Sequence, residues 1–286
     1  MKTVLEILQS TTAYFQKSGV ESPRLNIEHL LAQVMGIKRM ELYLQFDRPL
    51  GEEQLGPLRA LVKRRAQGEP LQHILGSVEF MGRPFVCDPR ALVPRPETEQ
   101  LAARLLELFK TAPPRRVADV GTGSGVLALS LADRWPEAEV HAVDISETAL
   151  DLAKQNAEAL GLGGRIQFHL GHLTQPLSAV APPAHAAYFD LLVANLPYIP
   201  TGEIADLSRE VRHDPVSALD GGEDGTLLLR ALIRDATAVL RGNIALEIGH
   251  DQSTALGEAL VLAGYRDIRV ETDYQRRNRF LFATHG

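Results

Sequence analysis

The chain has one cysteine, Cys87, and one tryptophan among 286 residues, and aromatic side chains make up only 6%. A single thiol excludes an internal disulfide framework and a multi-cysteine zinc site, and it suits a reducing compartment. No run of residues approaches the ~18 consecutive apolar positions of a membrane-spanning helix. The N-terminal stretch carries Glu6 among its apolar residues, unlike a signal peptide. Excess positive charge is missing as well: 30 Lys and Arg stand against 36 Asp and Glu, a formal net charge of −6. A nucleic-acid binder that works through bulk positive charge is therefore not expected. What remains, 45% hydrophobic and 23% charged residues, is ordinary globular composition in a chain long enough to bury a core. The expectation is a soluble, cytoplasmic protein.

Texture divides the chain. Residues 1–70 read as helices only, with Val4, Leu5, Ile7, Leu8 and Phe15, then Leu25, Leu30, Leu31, Val34 and Met35, at helical spacing. Ser22-Pro23 reads as a hydroxyl N-cap before a proline at the first helical position. Leu55, Leu58, Leu61 and Val62 mark a further helix, ending in Lys63-Arg64-Arg65, charges that suit a helix C-terminus. Residues 71–96 are rich in proline, glycine and short apolar runs, and read as a hairpin and loop connector. From residue 97 to 286, strand-like and helix-like segments alternate, which predicts a mostly parallel, doubly wound α/β sheet. Expected strands cover 115–120, 139–144, 165–170, 189–195 and 243–249; expected helices cover 124–133, 147–160, 226–240 and 252–263. The C-terminal segments 265–270 and 277–283 read as a closing strand pair.

Asp119-Val120-Gly121-Thr122-Gly123-Ser124-Gly125 follows the first strand of that sheet and opens a helix. Glycines there permit a tight turn and close backbone approach to a ligand, and N–H groups at a helix start favour an electronegative group. Asp144 ends the next strand, where a carboxylate can accept from two ribose hydroxyls. Together they indicate an adenosine-containing cofactor. The third glycine comes one residue too early for the dinucleotide fingerprint, and no Gly-Lys-Ser/Thr follows as a P-loop requires. Asp119, two residues before the first glycine, suits a cationic amino-acid tail, which points to S-adenosylmethionine.

Asn195-Leu196-Pro197-Tyr198 follows the strand at 189–195. In a doubly wound sheet that strand neighbours the first, beside the topological switch point where ligands bind. The Asn195 side-chain oxygen and a nearby backbone carbonyl can accept from an incoming –NH₂ group. Pro197 biases Leu196 towards extended backbone, and Tyr198 offers an aromatic face. Asn195 and Tyr198 are therefore the candidate catalytic residues, and residues 195–198 the candidate substrate grip.

Beyond these motifs, the chain closely resembles the release factor glutamine methyltransferases, the PrmC/HemK family. The resemblance spans nearly the whole sequence, through the stretch ending in PRPETE (Pro94–Glu99), then DVGTGSG, AVDIS, NLPYI, the segment from His213 to Gly225 and EIGHDQ. It implies a class I S-adenosylmethionine-dependent methyltransferase with a seven-stranded sheet and a small helical N-terminal domain that recognises substrate. It also implies methylation of the side-chain amide nitrogen, N5, of the glutamine in the GGQ motif of peptide chain release factors, with S-adenosylhomocysteine as product. Gly121, Thr122, Gly123, Ser124, Gly125 and Asp144 would bind the cofactor, Asn195 would bridge cofactor and substrate, and Leu196, Pro197 and Tyr198 would hold the glutamine. The family usually has proline where Leu196 stands, and an Asp where His172 stands; His172 and Leu173 would face the adenine. NLPY also occurs in rRNA dimethyladenosine transferases, so an RNA or DNA adenine N6-methyltransferase is the alternative, although no nucleic-acid substrate is expected.

Other groups are read as structural. His169, His172 and His185 lack the companions of a metal site. Cys87 reads as a small apolar filler, and Arg276, Arg277 and Arg279 as a solvated strand edge. Arg95 and Glu97, within PRPETE, are expected near the active site.

Overall fold

A computed structural model describes residues 2–180 and 188–286. The chain divides into one unit of Met1–Ser77 with Ser208–His213 and another of Val78–Leu207 with Asp214–Gly286. No helix among the described residues is long and apolar enough to cross a membrane.

In the first unit, Thr3 and Glu6 cap one another's backbone at the start of α1 (Val4–Lys17), satisfying donors the helix leaves unpaired. Next comes α2 (Pro23–Met35), with proline in its first turn as the sequence predicts. Ser22, however, is not a side-chain cap: it adopts a left-handed backbone (φ 46°), and its hydroxyl bonds to no helix N–H. A 3₁₀ turn (Arg39–Leu44), α3 (Glu52–Ala66) and α4 (Leu71–Leu75) complete the helices. Val4, Leu8, Phe15, Ile27, Leu30, Leu31 and Leu42 fill their core. Arg65 stands with Lys63 and Arg64 in the last turn of α3, as the sequence predicts, but it does not face solvent. It is buried, donating to Asn26 Oδ1 at 2.6 Å and pairing with Glu210 of the appended segment. Residues 71–96 likewise open on the short helix α4 before the hairpin of β1 (Ser77–Phe80) and β2 (Arg83–Val86).

The second unit alternates as the sequence predicts. After α5 (Pro96–Leu108) come β3 (Arg116–Val120), α6 (Val126–Arg134), β4 (Glu139–Asp144), α7 (Glu147–Ala159), β5 (Ile166–Leu170), α8 (Gln175–Val180) and β6 (Phe189–Ala194). Then follow α9 (Leu227–Ala236), β7 (Leu240–Glu247), α10 (Ser253–Leu262), β8 (Arg266–Thr272) and β9 (Asn278–His285). The seven strands run in the order β5-β4-β3-β6-β7-β9-β8, parallel except for the antiparallel β9. The central strands are buried on both faces, which is why Leu191–Ala194 of β6 are apolar in succession. Strand order reverses at β3, beside which β4 and β6 lie. Val120 pairs with Ala194, so the carboxyl tips of β3 and β6 emerge side by side.

Candidate active site

The tips of β3, β4 and β6 border a cavity of about 280 Å³ lined by residues 120–124, Asp144, His172, Leu173 and Asn195–Pro197. The glycine loop is built to turn. Gly121, Gly123 and Gly125 all have positive φ (76°, 55° and 83°), conformations that cost other residues about 1–2 kcal/mol. A Cβ on Gly121 would sit 2.7 Å from Leu196 Cδ2, and one on Gly125 would sit 2.9 Å from Leu129 Cδ1. The loop satisfies many of its own donors: Gly121 and Thr122 N–H donate to Val143 O, Gly125 N–H to Thr122 O, and Gly123 N–H to Asp144 Oδ2 at 2.8 Å. It therefore offers shape and close approach more than a row of unpaired N–H groups.

Asp144 joins that loop to β4, its other oxygen accepting from Ser146 N–H at 2.9 Å. Burial raises its pKa against the pull of those hydrogen bonds. Each carboxylate oxygen can accept more than one hydrogen bond, which leaves capacity for hydroxyls in the cavity. Asp119 sits elsewhere than the sequence suggests. Its carboxylate lies buried beneath the loop, where Oδ2 accepts from the Thr122 hydroxyl (2.7 Å) and Ala128 N–H (3.1 Å), and it does not line the cavity. Burial pushes this carboxyl up to about 7, and Oδ1 has no protein partner among the described residues. The acid at this position braces the loop against the start of α6. His172 lies exposed at the cavity rim, and Leu173 is buried in its wall with a left-handed backbone (φ 48°).

At the β6 tip, Asn195 Nδ2 donates to Thr98 Oγ1 at 2.9 Å, and Thr98 in turn donates to Glu247 Oε2 at 2.7 Å. Tyr198 is set back from the lining residues, with its hydroxyl donating to Glu247 Oε1 at 3.4 Å and burial raising its pKa. Glu247 is buried at the end of β7, and burial pushes its carboxyl up to about 7. The backbone of Pro197 and Tyr198 rests against glycines: a Cβ on Gly221 would lie 2.8 Å from Pro197 O, and one on Gly225 2.3 Å from Tyr198 O. Gln252 Nε2 donates to that same Tyr198 carbonyl at 2.8 Å. Leu196 is more than a backbone position, because its side chain is buried against Gly121 and the core.

Arg95 lines the cavity and pairs with the buried Asp214 at 2.5 Å, while Asp214 also accepts from Val93 N–H. This ion pair ties the PRPETE stretch to the segment beginning at Asp214. Sequence reasoning named Glu97 in that stretch but missed its neighbour Thr98. The signal for Glu247 was a lone carboxylate after the apolar run Ile244–Leu246 and before Ile248. Arg279 corrects the reading of a solvated arginine edge. It lies under the Tyr198 ring (5.8 Å to the centroid) and donates to Ile248 O at 2.9 Å, whereas Arg276 and Arg277 are exposed in the β8–β9 turn.

Cys87 is buried, and desolvation pushes its thiol up to about 12, as befits an apolar filler. His169 bonds to His141 (3.0 Å, rings stacked) instead of grouping with His172; His185 lies outside the described residues. No cluster of three potential metal ligands occurs among the described residues.

A family model described as the PrmC N-terminal domain matches residues 6–76, and one described as a methyltransferase domain matches residues 117–213. The chain is 39% identical over 284 residues to the release factor glutamine methyltransferase of Moorella thermoacetica, covering 98% of each. It is 41% identical over 259 residues to that of Geobacter sulfurreducens, covering 89% of this chain and 87% of the relative. Among solved structures, the hMettl16 catalytic domain in complex with an RNA hairpin superposes with a TM-score of 0.56 at 17% identity, covering 82% of this chain and 80% of that one. That last likeness is one of fold alone. With near-full-length identity of this order and both halves matched, the chain belongs to the family of release factor glutamine methyltransferases.

Proposed function

We propose that this chain methylates the side-chain amide nitrogen, N5, of the glutamine in the GGQ motif of peptide chain release factors, in the cytoplasm, using S-adenosylmethionine. The cavity fits that cofactor: Asp144 supplies a carboxylate for ribose hydroxyls, Leu173 an apolar wall for the adenine with His172 at its rim, and Gly121 to Gly125 a close-fitting loop. When bound, S-adenosylmethionine supplies an electrophilic methyl group and departs as S-adenosylhomocysteine.

The chain's own task is to present a poor nucleophile. An amide nitrogen has its lone pair delocalised into the carbonyl, so it reacts only when held in line. Asn195 Nδ2 is occupied by Thr98, which leaves Oδ1 to accept one N–H of the substrate amide. The Leu196 carbonyl accepts the other, while Pro197 and Tyr198 complete the grip. Two acceptors fix the nitrogen and favour the partial positive charge that develops on it before it sheds a proton. Positioning of this kind is worth roughly 7–11 kcal/mol in well-oriented systems.

The orientation of Asn195 beside the glycine loop is the observation that carries this reading. It is tested by incubating the protein with labelled S-adenosylmethionine and a GGQ-containing release factor, with rRNA and DNA in parallel. Label on the glutamine is expected; label in nucleic acid alone would replace the reading with adenine methylation.

A further inference from the structure

An asparagine side chain is nearly symmetric in shape, yet its two ends do opposite work: the oxygen accepts and the nitrogen donates. Only the oxygen is useful against an incoming –NH₂ group, so something must fix which end faces the cavity. We propose that Glu247, acting through the Thr98 hydroxyl, is the positioning residue that turns the Asn195 oxygen towards the substrate amide. This deepens the glutamine-methylation reading and rests on it.

The argument is one of counting protons. Thr98 is 3% exposed and Glu247 1%, so water does not enter the exchange. A threonine hydroxyl has a single proton, and the 2.7 Å contact to Glu247 Oε2 uses it, because a carboxylate can only accept. Towards Asn195, 2.9 Å away, Thr98 Oγ1 can then only accept. The amide nitrogen must occupy that side and the oxygen must turn the other way. The three residues come from α5, the β6 tip and the end of β7, and no two are adjacent in sequence.

Protonation of Glu247 reverses the chain. A neutral carboxyl can donate to Thr98, whose own proton is then released towards Asn195. The flipped amide becomes the favoured one, and it meets the substrate with donors facing donors. The groups facing Glu247 are Thr98 and Glu97 on α5, the Tyr198 hydroxyl, and Arg279 on β9, itself 3.6 Å from Asp273. Burial and Glu97 raise its pKa; Thr98, Arg279 and Tyr198 lower it. The outcome, about 7, places the switch within the range of an ordinary pH profile.

The test uses the full chain, a GGQ-containing release factor and saturating S-adenosylmethionine, so that titration of Asp119, also near 7, does not enter through cofactor affinity, and the Glu247→Gln profile separates any effect it has on kcat. Wild-type kcat should rise with pH through about 7. Glu247→Gln keeps the volume but can donate as readily as accept; it should lose about tenfold or more in kcat at pH 8 and lose the acid limb, with cofactor Kd little changed. Thr98→Val, isosteric without the hydroxyl, should lose a similar factor, Thr98→Ser should recover most of it, and Glu247→Gln/Thr98→Val should be no worse than either alone. A Glu247→Gln enzyme within about twofold of wild type and with its acid limb intact would overturn the proposal. If that variant fails to fold, the Thr98 pair decides: equal turnover of the Val and Ser forms would overturn it. A wild-type protein that methylates no glutamine refutes the functional reading instead, which the first arm of the experiment detects separately.

Discussion

The two strand tips that border the cavity are held in different ways. The β3 tip is a local device: its turns are set by Gly121, Gly123 and Gly125, and its hydrogen bonds come from Thr122, Val143, Asp144 and Asp119. All of that lies within residues 119–144, and a further bond, from Asn156 Nδ2 on α7 to Ser124 O at 2.9 Å, comes from the next helix. The β6 tip borrows its support from the whole unit: Thr98, Gly221, Gly225, Glu247, Gln252 and Arg279 surround Asn195–Tyr198. A binding loop can be encoded largely in its neighbourhood, whereas an oriented acceptor needs polar groups brought from distant segments. Buried polar groups of that kind are valuable only when every partner is supplied.

Asn195→Ala should separate the two tips most clearly. It removes an acceptor at the β6 tip and should lower kcat by about 10²–10³ while cofactor Kd, measured by titration, changes far less. Equal losses in both would mean the tips do not divide the work. A smaller effect is expected of Gly225→Ala, whose Cβ would collide with Tyr198 O at a φ of 74°. Turnover should fall about tenfold with cofactor affinity preserved, as a displaced tip predicts. Gly121→Ala tests where the tips touch, since its Cβ would strike Leu196. About 1–2 kcal/mol of stability should be lost, together with cofactor affinity and turnover, measurable by thermal denaturation and kinetics. An effect on cofactor affinity alone would show the tips to be mechanically separate. Leu196→Pro should keep the carbonyl and most of the turnover but lose about 1 kcal/mol through its buried side chain.

The smallest effect lies away from both tips. Burial lowers the pKa of His141 and His169 from 6.5, so the folded state holds them neutral. Their contribution to stability is complete above about 6.5 and is lost as pH falls below it. His169→Gln should flatten that dependence in denaturant melts between pH 7 and 5. A variant as acid-sensitive as wild type would assign the effect to other groups.

Much of this was legible. The strand–loop–helix order, the neighbouring β3 and β6, and the placement of Gly121–Ser124, Asp144 and Asn195 on one cavity follow from hydrophobic periodicity and turn chemistry, whereas Gly125, also expected there, packs against Leu129 and Ala153 instead of lining it. The exceptions have physical causes. Residues 226–240 read as one helix because nothing in Ala236–Leu240 breaks it, yet α9 stops at Ala236. Phe189 N–H bonds to Val239 O and Leu240 pairs with Phe189, so sheet pairing takes those residues. Asp119 reads as a ligand for a cationic group because its spacing to the loop is visible while its direction, into the base of α6, is not. Arg65 and Arg279 look like surface charge because a sequence does not display the Asn26, Glu210 and Tyr198 that receive them.

Local sequence is enough to set most strands and helices, where the chain turns, and which residue types stand at the turns, since these depend on neighbours a few positions away. Which way a nearly symmetric amide points, and which carboxylates are withdrawn from water, are set by the folded chain. Those outcomes depend on Thr98 and Glu247 converging on Asn195 from remote parts of the chain, and on the low dielectric that their burial creates.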